Sequence, residues 1–165
     1  MGRVDVCVIT TIHPPFEARI YERGVKAFAQ AGLSVALVAG WPAPRNDPYV
    51  RSWITVLESK TRMRRIANAF RTFRAALQQK ARVCYFHDID FIVWAVLLFL
   101  VTRRPVIYDC HENYALEVRY NKPWIWRPFR RPLAAMTSIV EALCVRVLRY
   151  CVVPVEGMDV RFQRL

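Results

Sequence analysis

At 165 residues the chain has room for one ordinary domain with its own core and is short for two. Hydrophobic types make up 55% and aromatics 13%, which excludes a disordered tail or a low-complexity linker. Lysine and arginine outnumber acids 25 to 13, and the resulting +12 favours anionic partners: nucleic acid, acidic lipid headgroups or phosphorylated small molecules.

Val4–Thr10 is β-branched and apolar apart from Asp5, and Leu33–Ala39 is a second such run between Gly32 and Gly40; both predict buried parallel strands. Between them Phe16–Ala31 sets Ile20, Gly24, Ala27, Phe28 and Ala31 on one helical stripe, with Gly32 as C-cap, completing a β-α-β unit. Trp41–Tyr49 carries three prolines and reads as a loop, followed by a short strand at Trp53–Leu57. Arg62–Lys80 predicts a helix with Ile66, Phe70, Phe73 and Leu77 on its apolar face and Arg64 and Arg71 pointing away. Val83–Phe86 then predicts a strand, Ile89–Thr102 a buried helix and Val106–Tyr108 another strand. The proline- and aromatic-rich Tyr120–Pro132 reads as irregular. It precedes a helix over Leu133–Arg149, with Leu133, Met136, Val140, Leu143 and Val147 on one stripe, and a last strand at Tyr150–Val153. This alternation predicts an α/β fold: a Rossmann-like, doubly wound parallel sheet in three layers, helices on both faces.

Cys7, Cys84, Cys110, Cys144 and Cys151 are odd in number and widely spaced, with no CxxC or His-rich tract, so reduced thiols and no metal are expected. The N-terminus lacks a signal-peptide pattern, and the longest uncharged apolar run, Phe91–Thr102, is far shorter than the roughly 20 residues a spanning helix needs. A cytoplasmic protein is expected, with any membrane contact peripheral.

In a wound sheet, ligands bind beyond the carboxyl ends of the strands. Thr10, Thr11 and His13 follow the first predicted strand, His87 and Asp88 the fourth, Asp109, His111, Glu112 and Asn113 the fifth, and Glu156 the last. All three histidines therefore fall on one rim, read here as a shared crevice rather than as scattered loop residues. The first turn, TTIHPPFEARI, contains no glycine, which excludes GxGxxG and GxxxxGK[ST] phosphate cradles. No HExxH or GxSxG is present. What remains is chemistry by positioning and electrostatics.

Thr10–Arg23 (TTIHPPFEARIYER), the AGLSVALVA run, Val106–Tyr114 (VIYDCHENY) and Val140-Glu141 together resemble the N-terminal domain of family 4 glycosyltransferases. The likeness runs over nearly the whole chain, and HPPxxxRI and YDxHE are its most specific parts. The resemblance implies one half of a GT-B fold, the acceptor side of an enzyme that moves a sugar from a nucleotide donor with retention. It places His111 beside the donor sugar as a positioning group, and Asp109 and Glu112 on sugar hydroxyls, on the His111 tautomer or as helix caps. His13 and Arg19 border the cleft, with Arg19 facing phosphate or an acidic acceptor or pairing with Glu17 or Glu22 on its own helix. Many members of the resembled family carry glycines in this loop, and this chain has Pro14-Pro15 instead.

The family's nucleotide-sugar site lies in a C-terminal domain, so the expectation is a single domain over 1–165 that is incomplete as an enzyme, with the nucleotide sugar as cosubstrate and no other cofactor. Its expected partner is a donor domain or separate subunit; a non-catalytic or split-enzyme subunit is the alternative. An anionic membrane surface is a further expected partner, met by Arg64, Arg71, Trp124, Trp126 and Arg130. The charge alone also allows a nucleic-acid binder, but no matching module is present and acids gather at the rim, so no nucleic acid is expected.

Overall fold

The computed structural model describes residues 3–42, 46–56 and 62–153, and within 62–67 only the backbone. Six parallel strands form one open sheet: β1 (Val6–Ile9), β2 (Val35–Ala39), β3 (Ser52–Thr55), β4 (Val83–Phe86), β5 (Val106–Asp109) and β6 (Tyr150–Val152), in the order β3-β2-β1-β4-β5-β6. This is the Rossmann-like order, and the strand direction of travel reverses between β1 and β4. The apolar β-branched runs become strands because both faces of a parallel sheet are covered: β1 and β2 are buried at every residue.

One face holds Cys7, Ile9, Val38, Phe86 and Tyr108 against α2 (Arg62–Gln78), α3 (Ile92–Thr102) and α5 (Arg127–Leu148). On the other, Val6, Val8 and Leu37 pack on Ile20 and Val25 of the segment leading to α1 (Ala27–Gln30). All five cysteines are free thiols.

Three helical predictions change. The first helix begins at Tyr21, and its opening turn, Tyr21–Lys26, is π-helical: the Ala18 carbonyl accepts from both Glu22 N and Arg23 N at 3.0 Å, and Val25 N reaches back five residues to Ile20 O at 2.9 Å. A π turn inserts one residue into the repeat. The buried face therefore shifts to Ile20, Gly24 and Val25, leaving Ala27 and Ala31 exposed where straight periodicity put them inside. A short helix α4 (Tyr114–Leu116), capped by the Asn113 side chain, and a π turn over Glu117–Asn121 follow β5.

Helix α5 starts at Arg127, six residues earlier than proline content predicts. Pro128 occupies its first turn, where no backbone donor is missed, and Arg130 Nε donates to Ile125 O at 2.9 Å across the preceding bend. The stripe that predicts this helix faces outward: Met136, Leu143 and Val147 are exposed, whereas Ala134, Ala142, Val145 and Leu148 are buried. Helix α3, predicted buried, buries Ile92, Ala95 and Leu98, packs the half-buried Trp94, Val96 and Phe99 against the same core, and exposes Val93, Leu100 and Val101.

Gly24 and Gly32 make opposite demands. A Cβ at helical Gly24 meets its nearest neighbour, Arg19 O, at 3.6 Å, ordinary contact, so Gly24→Ala is expected to stabilise the chain by about 0.5 kcal/mol. Gly32 ends α1 at φ +80°, so Gly32→Ala should cost about 1 kcal/mol despite open space around it. Urea unfolding of the two variants checks both signs.

Candidate functional site

The register brings the histidines together. Ile9 pairs with Phe86 and Phe86 with Tyr108, so β1, β4 and β5 end side by side and the loops that follow leave the sheet at one edge. This edge includes the point between β1 and β4 where the strand order reverses, the usual position of a ligand crevice. His13 and His111 meet edge to face with ring centroids 5.0 Å apart, and His87 lies 6.2 Å from His111.

Asp88 organises the crevice from beneath. Its carboxylate, fully enclosed, accepts from Thr11 N at 2.5 Å, Ile12 N at 3.1 Å, and the hydroxyls of Thr10 at 3.1 Å and Thr11 at 3.2 Å. Its other oxygen lies 2.5 Å from His13 Nδ1. Burial alone would raise the Asp88 pKa, but the hydrogen bond and charge of His13, with the loop amides, outweigh it and hold the carboxyl below its ordinary value. The same hydrogen bond raises His13 against the opposing pull of burial. The His13–Asp88 contact thus ties the first loop to the residue that follows β4, with His13 Nε2 3.9 Å from the half-exposed Glu112. Asp88 is a residue the sequence reading placed on the rim without assigning it a role; its signal was a carboxylate immediately after a buried strand.

His111 is the electrostatic opposite. Burial, then the nearby Arg19 charge, lowers its pKa, so the ring is neutral at pH 7. Its Nδ1 lies 3.2 Å from the Asp109 carbonyl, an acceptor, which fixes the proton on Nδ1 and leaves Nε2 as a lone pair. That Nε2 is buried and meets no hydrogen-bond partner among the described residues. A buried lone pair without a donor is a position prepared for a hydroxyl or amide of a ligand.

Asp109 turns inward. Tyr85 Oη donates to it at 2.8 Å and His87 Nδ1 lies 3.3 Å away. Burial pushes its pKa up, and the His87 and Tyr85 contacts more than compensate. The Asp109 carboxylate is thus engaged at the crevice floor by Tyr85 and His87, and it is the Asp109 backbone carbonyl that meets His111 Nδ1. Arg19 donates to Glu17 Oε1 at 2.6 Å, one of the two carboxylates expected to pair with it, but in the turn ahead of the helix rather than on it, and its Nε is buried with no hydrogen bond among the described residues. Glu141 is buried beneath the rim, accepting from Tyr108 Oη at 3.0 Å and close to Cys110 Sγ.

Two overlapping sets, His13 with His111 and Glu112, and His87 with Asp109 and His111, place potential ligand atoms within 4.8 Å of one another. The Arg19 charge that lowers His111 opposes a further cation beside that ring. Hydrogen bonding to a polar ligand suits the arrangement better than metal coordination.

The structure thus brings His13, Arg19, Asp109, His111 and Glu112 to one edge. The surface residues fall elsewhere: Arg71, Trp124 and Trp126 are exposed, and Arg130 is engaged by the Ile125 carbonyl. The Arg64 side chain and Glu156 lie outside the described residues. No helix among the described residues is long and apolar enough to cross a membrane. No protein-family model and no curated protein matches this sequence.

Proposed function

We propose that this chain provides the acceptor side of a retaining glycosyltransferase, resembling the N-terminal half of family 4 enzymes. The observation that carries the reading is the His111 Nε2 lone pair, buried and unbonded among the described residues, at the edge where a wound sheet binds ligands. A neutral imidazole in this state accepts a hydrogen bond from a sugar hydroxyl and so orients the ring of the sugar being transferred. Arg19, with His13 whose contact with Asp88 favours its protonated form, supplies positive charge beside it for a phosphate or an acidic acceptor.

Retention of configuration through an oxocarbenium-like state asks for orientation and charge stabilisation more than for a strong base. The rim fits that demand: its most enclosed carboxylate, Asp88, is tied to five groups of its own chain and is no free base. In this reading the nucleotide of the donor is held by a second α/β half facing the rim, on the same polypeptide or on a partner subunit.

The test is transfer from a panel of nucleotide sugars by the protein purified under native conditions, with any co-purifying chain identified. Transfer requiring a second α/β half supports the reading. Transfer by the isolated chain removes the two-half requirement, and a complex with such a partner that never turns over a nucleotide sugar leaves a non-catalytic subunit.

A further inference from the structure

Helices α3 and α5 lie side by side on one face of the sheet and turn aliphatic side chains to solvent. Ile139 is 60% exposed and Leu143 55% on α5, and Leu100 55% and Val101 57% on α3. Soluble chains rarely leave so many large aliphatic groups in adjacent rows without a use for them. On α5, Ala134, Ala142, Val145 and Leu148 pack inward, while a second apolar row of Met136, Ile139, Leu143 and Val147 points out.

Arginines predominate among the charges around this face, against the exposed Asp90 just ahead of α3 and the half-buried Glu117, both on the groove beside it. Helix α3 contains no charged residue, and the single carboxylate of α5, Glu141, is buried on Tyr108. The exposed cations bordering the pair are Arg103, Arg127, Arg131 and Arg146, four against the one exposed carboxylate of Asp90, with Trp124 and Trp126 exposed at the α5 N-terminal end. A second copy seated on this face would set arginine against arginine in a chain already carrying +12. An anionic bilayer offers the complementary combination of acyl chains for the aliphatic rows, phosphates for the guanidiniums and a headgroup layer for the tryptophans.

We propose that the α3–α5 face docks on an anionic bilayer surface, lying on the membrane without spanning it. The proposed surface lies on α3 and α5, where the aliphatic rows are, and shares Trp124 and Trp126 with the surface expected from sequence, whose Arg64 and Arg71 belong to α2. A groove of about 640 Å³ begins on this face between Val93, Trp124 and Met136 and reaches Ile12 and Tyr114. Ile12 N is bonded to Asp88, and the Tyr114 ring lies 6.4 Å from His111. The docked pose therefore connects the bilayer to the rim, a route for a lipid-carried acceptor; this last clause rests on the sugar-transfer reading, whereas docking itself does not.

Vesicle flotation tests the docking without any turnover. The purified chain is mixed with phosphatidylcholine vesicles with and without about 30 mol% phosphatidylglycerol, a content that gives a strongly negative surface. Recovery with the anionic vesicles, falling as salt rises, is expected. Leu143→Glu and Val101→Glu, both at exposed positions, should each weaken partitioning by about tenfold, because each places a carboxylate among acyl chains. Ala27→Glu, exposed on the opposite face, adds the same charge and should change it by less than about twofold. Circular dichroism confirms that each variant is folded. No recovery of the unsubstituted chain, equal effects of Leu143→Glu and Ala27→Glu, or a dimer in solution that Leu143→Glu converts to monomer would overturn the proposal, the last by assigning the face to a second copy.

Discussion

Asp88→Ala should lower unfolding stability by about 2–4 kcal/mol, the largest loss expected from any single rim substitution, because it strands the partners of a buried charge. Two loop amides and the Thr10 and Thr11 hydroxyls lose their acceptor and the His13 imidazolium loses its counterion. Chemical denaturation near pH 6 measures it. A change under 1 kcal/mol, the range of an exposed pair, would show that the loop is held by other contacts.

The same pair carries a pH signature. His13 is raised above its ordinary 6.5 on folding, so its contribution is complete below pH 6.5 and is lost as pH rises through the elevated folded value. Asp88 is lowered below 3.8, so its contribution is complete above that and is lost as pH falls through the depressed folded value. The pair is strongest between these limits. His111, shifted downward, has the opposite slope near neutrality, so the informative quantity is the stability difference between the parent and His13→Gln. That difference should be greatest near pH 5.5 and shrink toward pH 9, and a constant difference would show that His13 binds Asp88 as a neutral ring.

On the proposed sugar-transfer reading, His111→Ala should reduce transfer by about a hundredfold once the second half is present, the scale on which removal of one preorganised hydrogen-bonding group acts. Stability should change by less than about 1 kcal/mol, since the ring makes one hydrogen bond to its own chain, at 3.2 Å. His111→Asn, which restores an acceptor on a shorter arm, should recover part of the loss. Equal loss of stability and activity would make His111 a structural turn residue, and unchanged transfer would remove it from the mechanism.

The sheet was legible because parallel strands buried on both faces spell themselves as apolar β-branched runs, as Val6–Ile9 and Val35–Ala39 do. The convergence of the three histidines was legible for the same reason: strand ends set the rim. Helical faces were less so. Periodicity reports that large apolar residues share a side, not which medium that side meets, and Met136, Leu143 and Val147 meet solvent. It also assumes an unbroken repeat, which the π turn at Tyr21–Lys26 interrupts. Asp88 stayed unassigned because its partners, Thr10–His13, lie 75–78 positions away, and only the pairing of β1 with β4 makes them neighbours.

The β1–β4 pairing also dictates an order of assembly during synthesis. One side of β1 can zip to β2 early, whereas its other side stays an open hydrogen-bonding edge until Val83–Phe86 has left the ribosome. Through that interval the nascent chain displays a bare apolar ladder. Chaperone demand should therefore peak for ribosome-stalled chains ending just before β4 and drop once that strand can insert.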